Sequence, residues 1–148
     1  MERSLVIIKP DAVARGLTGT IISRLEGQGF KLVALKMLHM DKALARRHYA
    51  PHRDKPFFDS LVTYISSAPI AVAVFEAEDA VQLIRKAMGA TDPANAEEGT
   101  IRGDFGLDIE RNTVHGSDST KTAAEEIGNF FSESEIAGRQ QQTEVTES

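Results

Sequence analysis

The sequence predicts an α+β sandwich in which helices cover a sheet. Three observations carry that expectation. Apolar runs of strand length at 5–8, 30–40 and 70–75 alternate with segments whose apolar residues recur at helical spacing. Prolines, glycines and capping residues fall between them, where the chain must change direction. The 148 residues, 41% of them hydrophobic, suit one domain with a real core.

The elements follow in order. SLVIIKP holds a continuous apolar run, the mark of a buried strand, and Lys9-Pro10 ends it. In 19–28, Ile21, Ile22 and Leu25 share a helical face, and Gly29 fits a C-terminal glycine. Residues 30–40 read as a second strand. Asp41 is placed to cap a helix reaching Tyr49. Pro51 and Pro56 bracket a turn, and 57–67 read as a helix with Phe57, Phe58, Leu61, Val62 and Ile65 on one side. Pro69 opens a third strand at 70–75. Asp79 is placed to cap a helix to Met88, with Val81, Ile84, Ala87 and Met88 inward. The stretch 89–106 has no periodicity and reads as a long loop, a feature that in compact domains is usually functional or disordered. A short strand at 113–114 and a helix at 119–131 complete the order β-α-β-α-α-β-α-loop-β-α. The domain is expected at 1–136, with a polar, flexible tail at 137–148.

Composition excludes several classes. A net charge of −5 gives no global attraction for nucleic acid, so none is expected as a partner. The absence of cysteine removes disulfides and thiolate metal sites. No apolar run nears the roughly 18–20 residues of a membrane span, and MERSLVIIKPD lacks the layout of a secretion signal. The expected setting is the cytoplasm, with no membrane partner. There is no GxxxxGK[ST]; GLTGT is too short and lacks the lysine, so any phosphate must be held by side chains.

His115, in NTVHGSDS, is the most informative residue. It ends a short apolar step, Gly116 clears room beside it, and a helix start follows, whose dipole favours negative charge. Glu126 falls on the inward line Ala123–Glu126–Phe130, where a carboxylate can fix the tautomer of an imidazole, though a boundary salt bridge would read the same way. Lys9 faces either solvent or a cleft. Arg85 reads as a snorkelling arginine or an anion ligand, and Arg102 as an anion ligand or a loop-closing ion pair. Of Phe57 and Phe58 in KPFF, one is exposed or stacks on something flat, or both pack at the periphery. His48 and His52 have the spacing of helical metal ligands, but Pro51 between them argues against zinc, and no protein metal site is expected.

Together these segments resemble the nucleoside diphosphate kinase family. SLVIIKPDAVARGLTG, HYAPHRDKPFFDSLVTYI, ATDPANAEEGTIRGDF and NTVHGSDS occur in the family's order and span residues 4 to about 131. The resemblance implies a ferredoxin-like βαββαβ sandwich with an antiparallel four-stranded sheet covered by helices. It implies transfer of the γ-phosphoryl of a nucleoside triphosphate, mainly ATP, to a nucleoside diphosphate by a ping-pong route through a phosphohistidine at His115. By motif position, Lys9 would meet the terminal phosphate and the ribose, and Tyr49 would border the transferred group. His52, Arg85, Thr91 and Arg102 would hold phosphates, and Asn112 the ribose 3′-hydroxyl. Phe57, with Leu61 beside it, would stack on the base, and Ile109 would take its other face. Ser117 and Glu126 would hold the second ring nitrogen of His115. Mg²⁺ would arrive on the nucleotide phosphates. The family also implies a homo-oligomer built from dimers, a tetramer being favoured for a chain this short. Residues 75–78, FEAE, replace a segment that often carries tryptophan and glycine, and the tail beyond Phe131 matches poorly. A silent nucleotide-binding or scaffolding member is the competing class; retention of Lys9, Arg102, Asn112, His115 and Glu126 together speaks against it.

Overall fold

The first strand made becomes the centre of the sheet. In the computed structural model, which describes residues 1–137, β1 (Glu2–Ile8) lies between β3 (Ile70–Ala77) and β4 (Val114–Gly116), and β2 (Lys31–Leu38) flanks β3. Every pairing is antiparallel, in the order β2-β3-β1-β4. This is the ferredoxin-like arrangement that the resemblance implies. From residue 138 onward, the polar tail lies outside the described residues.

β1 and β3 are apolar at successive positions because the sheet is covered on both faces. Leu5, Ile7, Val72 and Val74 pack with Ala45 of α3 (Lys42–His48), Val62 and Ile65 of α4 (Phe58–Ile65) and Ile127 and Phe130 of α7 (Thr120–Phe130). Val6, Ile8, Ala71, Ala73 and Phe75 pack instead with Ile21 and Leu25 of α2 (Thr18–Gly27) and Ile84 and Met88 of α5 (Ala80–Met88). Each fully buried aliphatic side chain contributes about 1.5–3 kcal/mol relative to exposure.

Local chemistry explains most boundaries. Asp41 Oδ1 accepts from Leu44 N at 2.7 Å, and Ser119 and Thr122 cap one another's backbone at the start of α7. Gly29 stands just past α2 with φ 96°, the left-handed conformation that suits glycine there. Asp79 departs from expectation. It precedes α5, but with φ 52° and no capping bond from its side chain; Glu2 Oε1 accepts from Val81 N at 3.3 Å instead. Pro10 ends β1 and also opens α1 (Pro10–Ala14), a helix that the sequence reading lacks, because a proline at the first helical position forfeits no bond.

The stretch 89–106 is not a structureless loop. Asp92 Oδ1 accepts from Ala94 N to open a 3₁₀ turn at Pro93–Asn95, and Thr100 Oγ1 accepts from Gly103 N to cap α6 (Ile101–Phe105). Two glycines make room: a Cβ on Gly103 would lie 2.0 Å from the Glu97 carbonyl, and one on Gly106 would lie 2.5 Å from Pro93 Cγ. A five-residue helix is too short to show a period, which is why the sequence reads as loop.

Candidate active site

β4 presents His115. Val114 packs toward α2 and α5, so the pleat turns the next side chain toward α3 and α7. There His115 Nε2 lies 3.2 Å from Glu126 Oε2. Ser117 Oγ donates to Glu126 Oε1 at 2.7 Å and accepts from Leu5 N at 3.1 Å. A chain of contacts therefore runs from the central strand through Ser117 and Glu126 to the imidazole. Burial pushes the Glu126 carboxyl up, but hydrogen bonds from His115 and Ser117 outweigh it and hold the group below the usual carboxylate range. An ionised Glu126 places the ring proton on Nε2 and leaves Nδ1 with its lone pair.

Two expectations are corrected here. Ser117 does not touch the ring of His115; it orients Glu126, which does. Gly116 does not clear space for a phosphoryl group. A Cβ there would lie 2.6 Å from Met88 Cε, so the glycine lets α5 pack against β4 on the opposite face of the sheet.

Just before β4, Val114 N donates to Asn112 O at 2.9 Å around Thr113, whose φ is 83°. That is a γ-turn of the rare hand, an unfavourable backbone for a β-branched residue. It aims Asn112 back at the end of β1. Lys9 Nζ donates to Asn112 Oδ1 at 2.8 Å and to Glu110 O at 3.2 Å, and Asn112 Nδ2 donates to Thr91 O at 2.9 Å. Lys9 is buried, not at the solvent boundary. Burial first, then the Arg102 guanidinium, lowers its pKa to about 8.

Arg102 sits in α6, not in a loop, and is 8% exposed. Its guanidinium donates to Gly89 O and Val114 O, both at 2.9 Å, while Nε has no partner among the described residues. Burial and neighbouring Arg85 lower its pKa to about 10, which leaves it a cation at neutral pH. Arg85 is exposed on α5 and pairs with Asp118. Tyr49 is buried, and desolvation pushes its hydroxyl well above the usual range.

The aromatic and apolar candidates differ in exposure. Phe57 is 48% exposed at the start of α4, with the His52 ring 6.0 Å away, and Ile109 is 63% exposed. Phe58 and Leu61 pack against the core and stay partly exposed. Thr91 is exposed and contributes its carbonyl to Asn112.

Comparisons with known proteins show the family. The nucleoside diphosphate kinase family model matches residues 2–136. The chain belongs to the nucleoside diphosphate kinase family. A nucleoside diphosphate kinase of Dehalococcoides mccartyi is 63% identical over 136 residues, 92% of this chain and 96% of the relative. That of Archaeoglobus fulgidus is 54% identical, covering 92% of this chain and 90% of its own. Among solved structures, the Aquifex aeolicus nucleoside diphosphate kinase matches with a TM-score of 0.91 at 42% identity, over 92% of this chain and 99% of that one. The Halobacterium salinarum nucleoside diphosphate kinase, in complex with CDP, matches with 0.90 at 46% identity over 97% of each chain. The protein is thus an enzyme of this family, a phosphotransferase of nucleotide metabolism.

Sequence reasoning misses three features of the kinase. His48 is buried beside His115, with ring centroids 5.1 Å apart; its place with Leu44 and Ala45 on one face of α3 is the signal that could reveal its burial, though not its neighbour. Tyr64 donates to Asp11 Oδ1 at 2.5 Å and accepts from Asp11 N at 2.9 Å, tying α4 to α1 beside Lys9. Glu110 offers its carbonyl to Lys9 and its carboxylate to Ser60 of α4. Neither contact leaves a periodic trace in the sequence.

Proposed function

We propose that the enzyme transfers the γ-phosphoryl of a nucleoside triphosphate, mainly ATP, to a nucleoside diphosphate in two half-reactions through His115. Nδ1 attacks the γ-phosphorus, the bond to the β-phosphate oxygen breaks with its electron pair, and the diphosphate leaves. A second diphosphate reverses these steps. The observation that carries this reading is the held imidazole: Nε2 rests on an ionised Glu126, which is itself fixed by Ser117 and the Leu5 backbone. That carboxylate stabilises the ring as it gains positive character. Lys9, Arg85 and Arg102 neutralise the phosphates, with His52 and Thr91 beside them, and Tyr49 borders the transferred group. Asn112 and Lys9 take the ribose hydroxyl. Phe57, Leu61 and Ile109 receive the base. Mg²⁺ bound to the nucleotide phosphates supplies further charge neutralisation; the cations and hydroxyls assigned to the phosphates leave its coordination to phosphate oxygens and water. Intact-mass measurement after ATP without acceptor tests the reading. A silent nucleotide-binding member binds ATP and gains no mass.

Two consequences can be measured by kinetics. A base held by exposed Phe57 and Ile109 is gripped by its flat faces, which every base has. Adenine, guanine, cytosine and uracil or thymine diphosphates should therefore be accepted within about tenfold of one another, roughly 1.4 kcal/mol. Strict rejection of one base class contradicts this reading. Lys9 gives the second. Bound phosphate favours its charged form, and that charge is lost as pH rises through about 8. Nucleotide KM should climb above that pH, and Lys9→Arg should move the climb upward. A profile unchanged by that substitution argues against Lys9 as a phosphate ligand.

The quaternary state we propose is a homo-oligomer assembled from dimers, the tetramer being favoured. β2 is an edge strand that exposes Leu35 and Met37, 49% and 57% accessible, and an uncovered apolar edge favours pairing. Light scattering at micromolar concentration should give a multiple of the chain mass; a monomer mass contradicts it. The compartment we propose is the cytoplasm, where nucleoside triphosphates are abundant. No described helix is long and apolar enough to cross a membrane.

A further inference from the structure

His48 lies against the nucleophile, and the proposed reaction does not use it. Its ring centroid is 5.1 Å from that of His115, 4.8 Å from that of Tyr49 and 5.7 Å from that of Phe130. It is 5% exposed, and neither ring nitrogen has a hydrogen-bond partner among the described residues. Leaving a buried polar atom unpaired is costly, so an imidazole placed this way is unusual in a core. Burial, then the neighbouring His115, lowers its pKa to about 3, so the ring is neutral and offers a lone pair. One donor atom from each of His48, His115 and Glu126 lies within 4.8 Å of the other two.

We propose that His48, His115 and Glu126 form a binding site for a zinc-type divalent ion, inhibitory to phosphoryl transfer when filled. Two imidazoles and a carboxylate are a donor set that holds zinc and leaves a fourth position to solvent. The 3.2 Å between His115 Nε2 and Glu126 Oε2 is close to the spacing of roughly 3.3–3.5 Å that two donors take on a tetrahedral ion bound at about 2.0–2.2 Å. The ion takes the place of the proton shared by that pair. His48 completes the set by closing inward, by about 1.4 Å if it belongs to the widest pair, a shift within reach of its side-chain torsions. Mg²⁺ is a poor occupant, because it prefers oxygen donors in an octahedron. The inhibitory clause rests on His115 being the nucleophile: an ion on Nε2 withdraws electron density from the ring and weakens Nδ1.

Co²⁺ alone, added to the chelator-treated full chain without nucleotide, is the probe, because its visible ligand-field bands report nitrogen and oxygen coordination. The expected result is one Co²⁺ per chain, displaced by one Zn²⁺. His48→Phe, which keeps a ring in the core but removes the donors, weakens binding by at least about tenfold. A double variant, His39→Ala with His52→Ala, leaves Co²⁺ binding unchanged. No bands, bands that persist in His48→Phe, or bands lost in the double variant overturn the site. Should His48→Phe lose its circular dichroism signature, His48→Gln takes its place with the same expected loss. Labelling by ATP, with Mg²⁺ restored after chelation, is read separately. Intact labelling without Co²⁺ binding removes the metal site alone, whereas Co²⁺ binding without labelling removes the phosphohistidine reading alone.

Discussion

ATP without acceptor should add one phosphoryl group per chain, and His115→Ala should gain none while transfer falls by at least about 10⁴-fold. Any nucleoside diphosphate should then strip the label from the unsubstituted protein. The chemistry of the bond identifies its atom. A phosphohistidine is a phosphoramidate, labile in acid and stable in base, and phosphoserine behaves in the opposite way. The neighbouring hydroxyls are poor competitors. Ser117 is fully buried, with its oxygen engaged by Leu5 N and Glu126, and the Ser119 oxygen caps α7. Nucleotide binding in His115→Ala should remain largely intact, since the residues assigned to base and phosphates lie on other elements. A label that survives acid, or that appears on His115→Ala, rules out this histidine as the carrier.

Arg102→Ala should lower kcat/KM by about 10²–10³-fold or more, because charge at the transferring phosphoryl is a major part of the barrier. It should also destabilise the fold. A residue in an exposed loop could be removed without structural cost, but this guanidinium joins the Gly89 and Val114 carbonyls from within the protein. Two carbonyls left without a donor cost roughly 2–4 kcal/mol. A fall in melting temperature of roughly 5–15 °C should accompany the kinetic loss. Arg102→Lys keeps the charge but cannot span both carbonyls, so its activity should recover more than its stability. Full activity in Arg102→Ala with a lowered melting temperature would assign the residue to structure alone.

The legible parts of this molecule are those with a period or a punctuation mark. The strand at Leu5 to Ile8, the cap at Asp41, the start of α7 near Ser119 and the glycine at 29 can be read directly, because each rests on contacts within a few residues. Glu126 is readable from its place on the inward line of α7. Three things were not readable, and for one reason: their partners are remote in sequence. Gly116 looks like space for a ligand until Met88 is seen beneath it. Arg102 looks like a loop residue until its carbonyls, 13 and 12 positions away, are known. His48 carries no sign that its neighbour is His115, because α3 and β4 meet only in the folded chain.

The strand order bears on how the chain is made. β1 is made before both of its partners, β3, ending at Ala77, and β4, ending at Gly116. At about 5–20 residues per second, the span from Ile8 to Ala77 takes roughly 3–14 s to synthesise. Through that interval the apolar run of β1 has no sheet to join, and its edges remain open to other nascent chains. Lys9, at its end, acquires its buried partner Asn112 only after 103 further residues have been added. Such non-local pairing slows folding, because distant segments must be brought together before their contacts reward it. His115 and Lys9 therefore come into register only after the chain beyond Asn112 has been made.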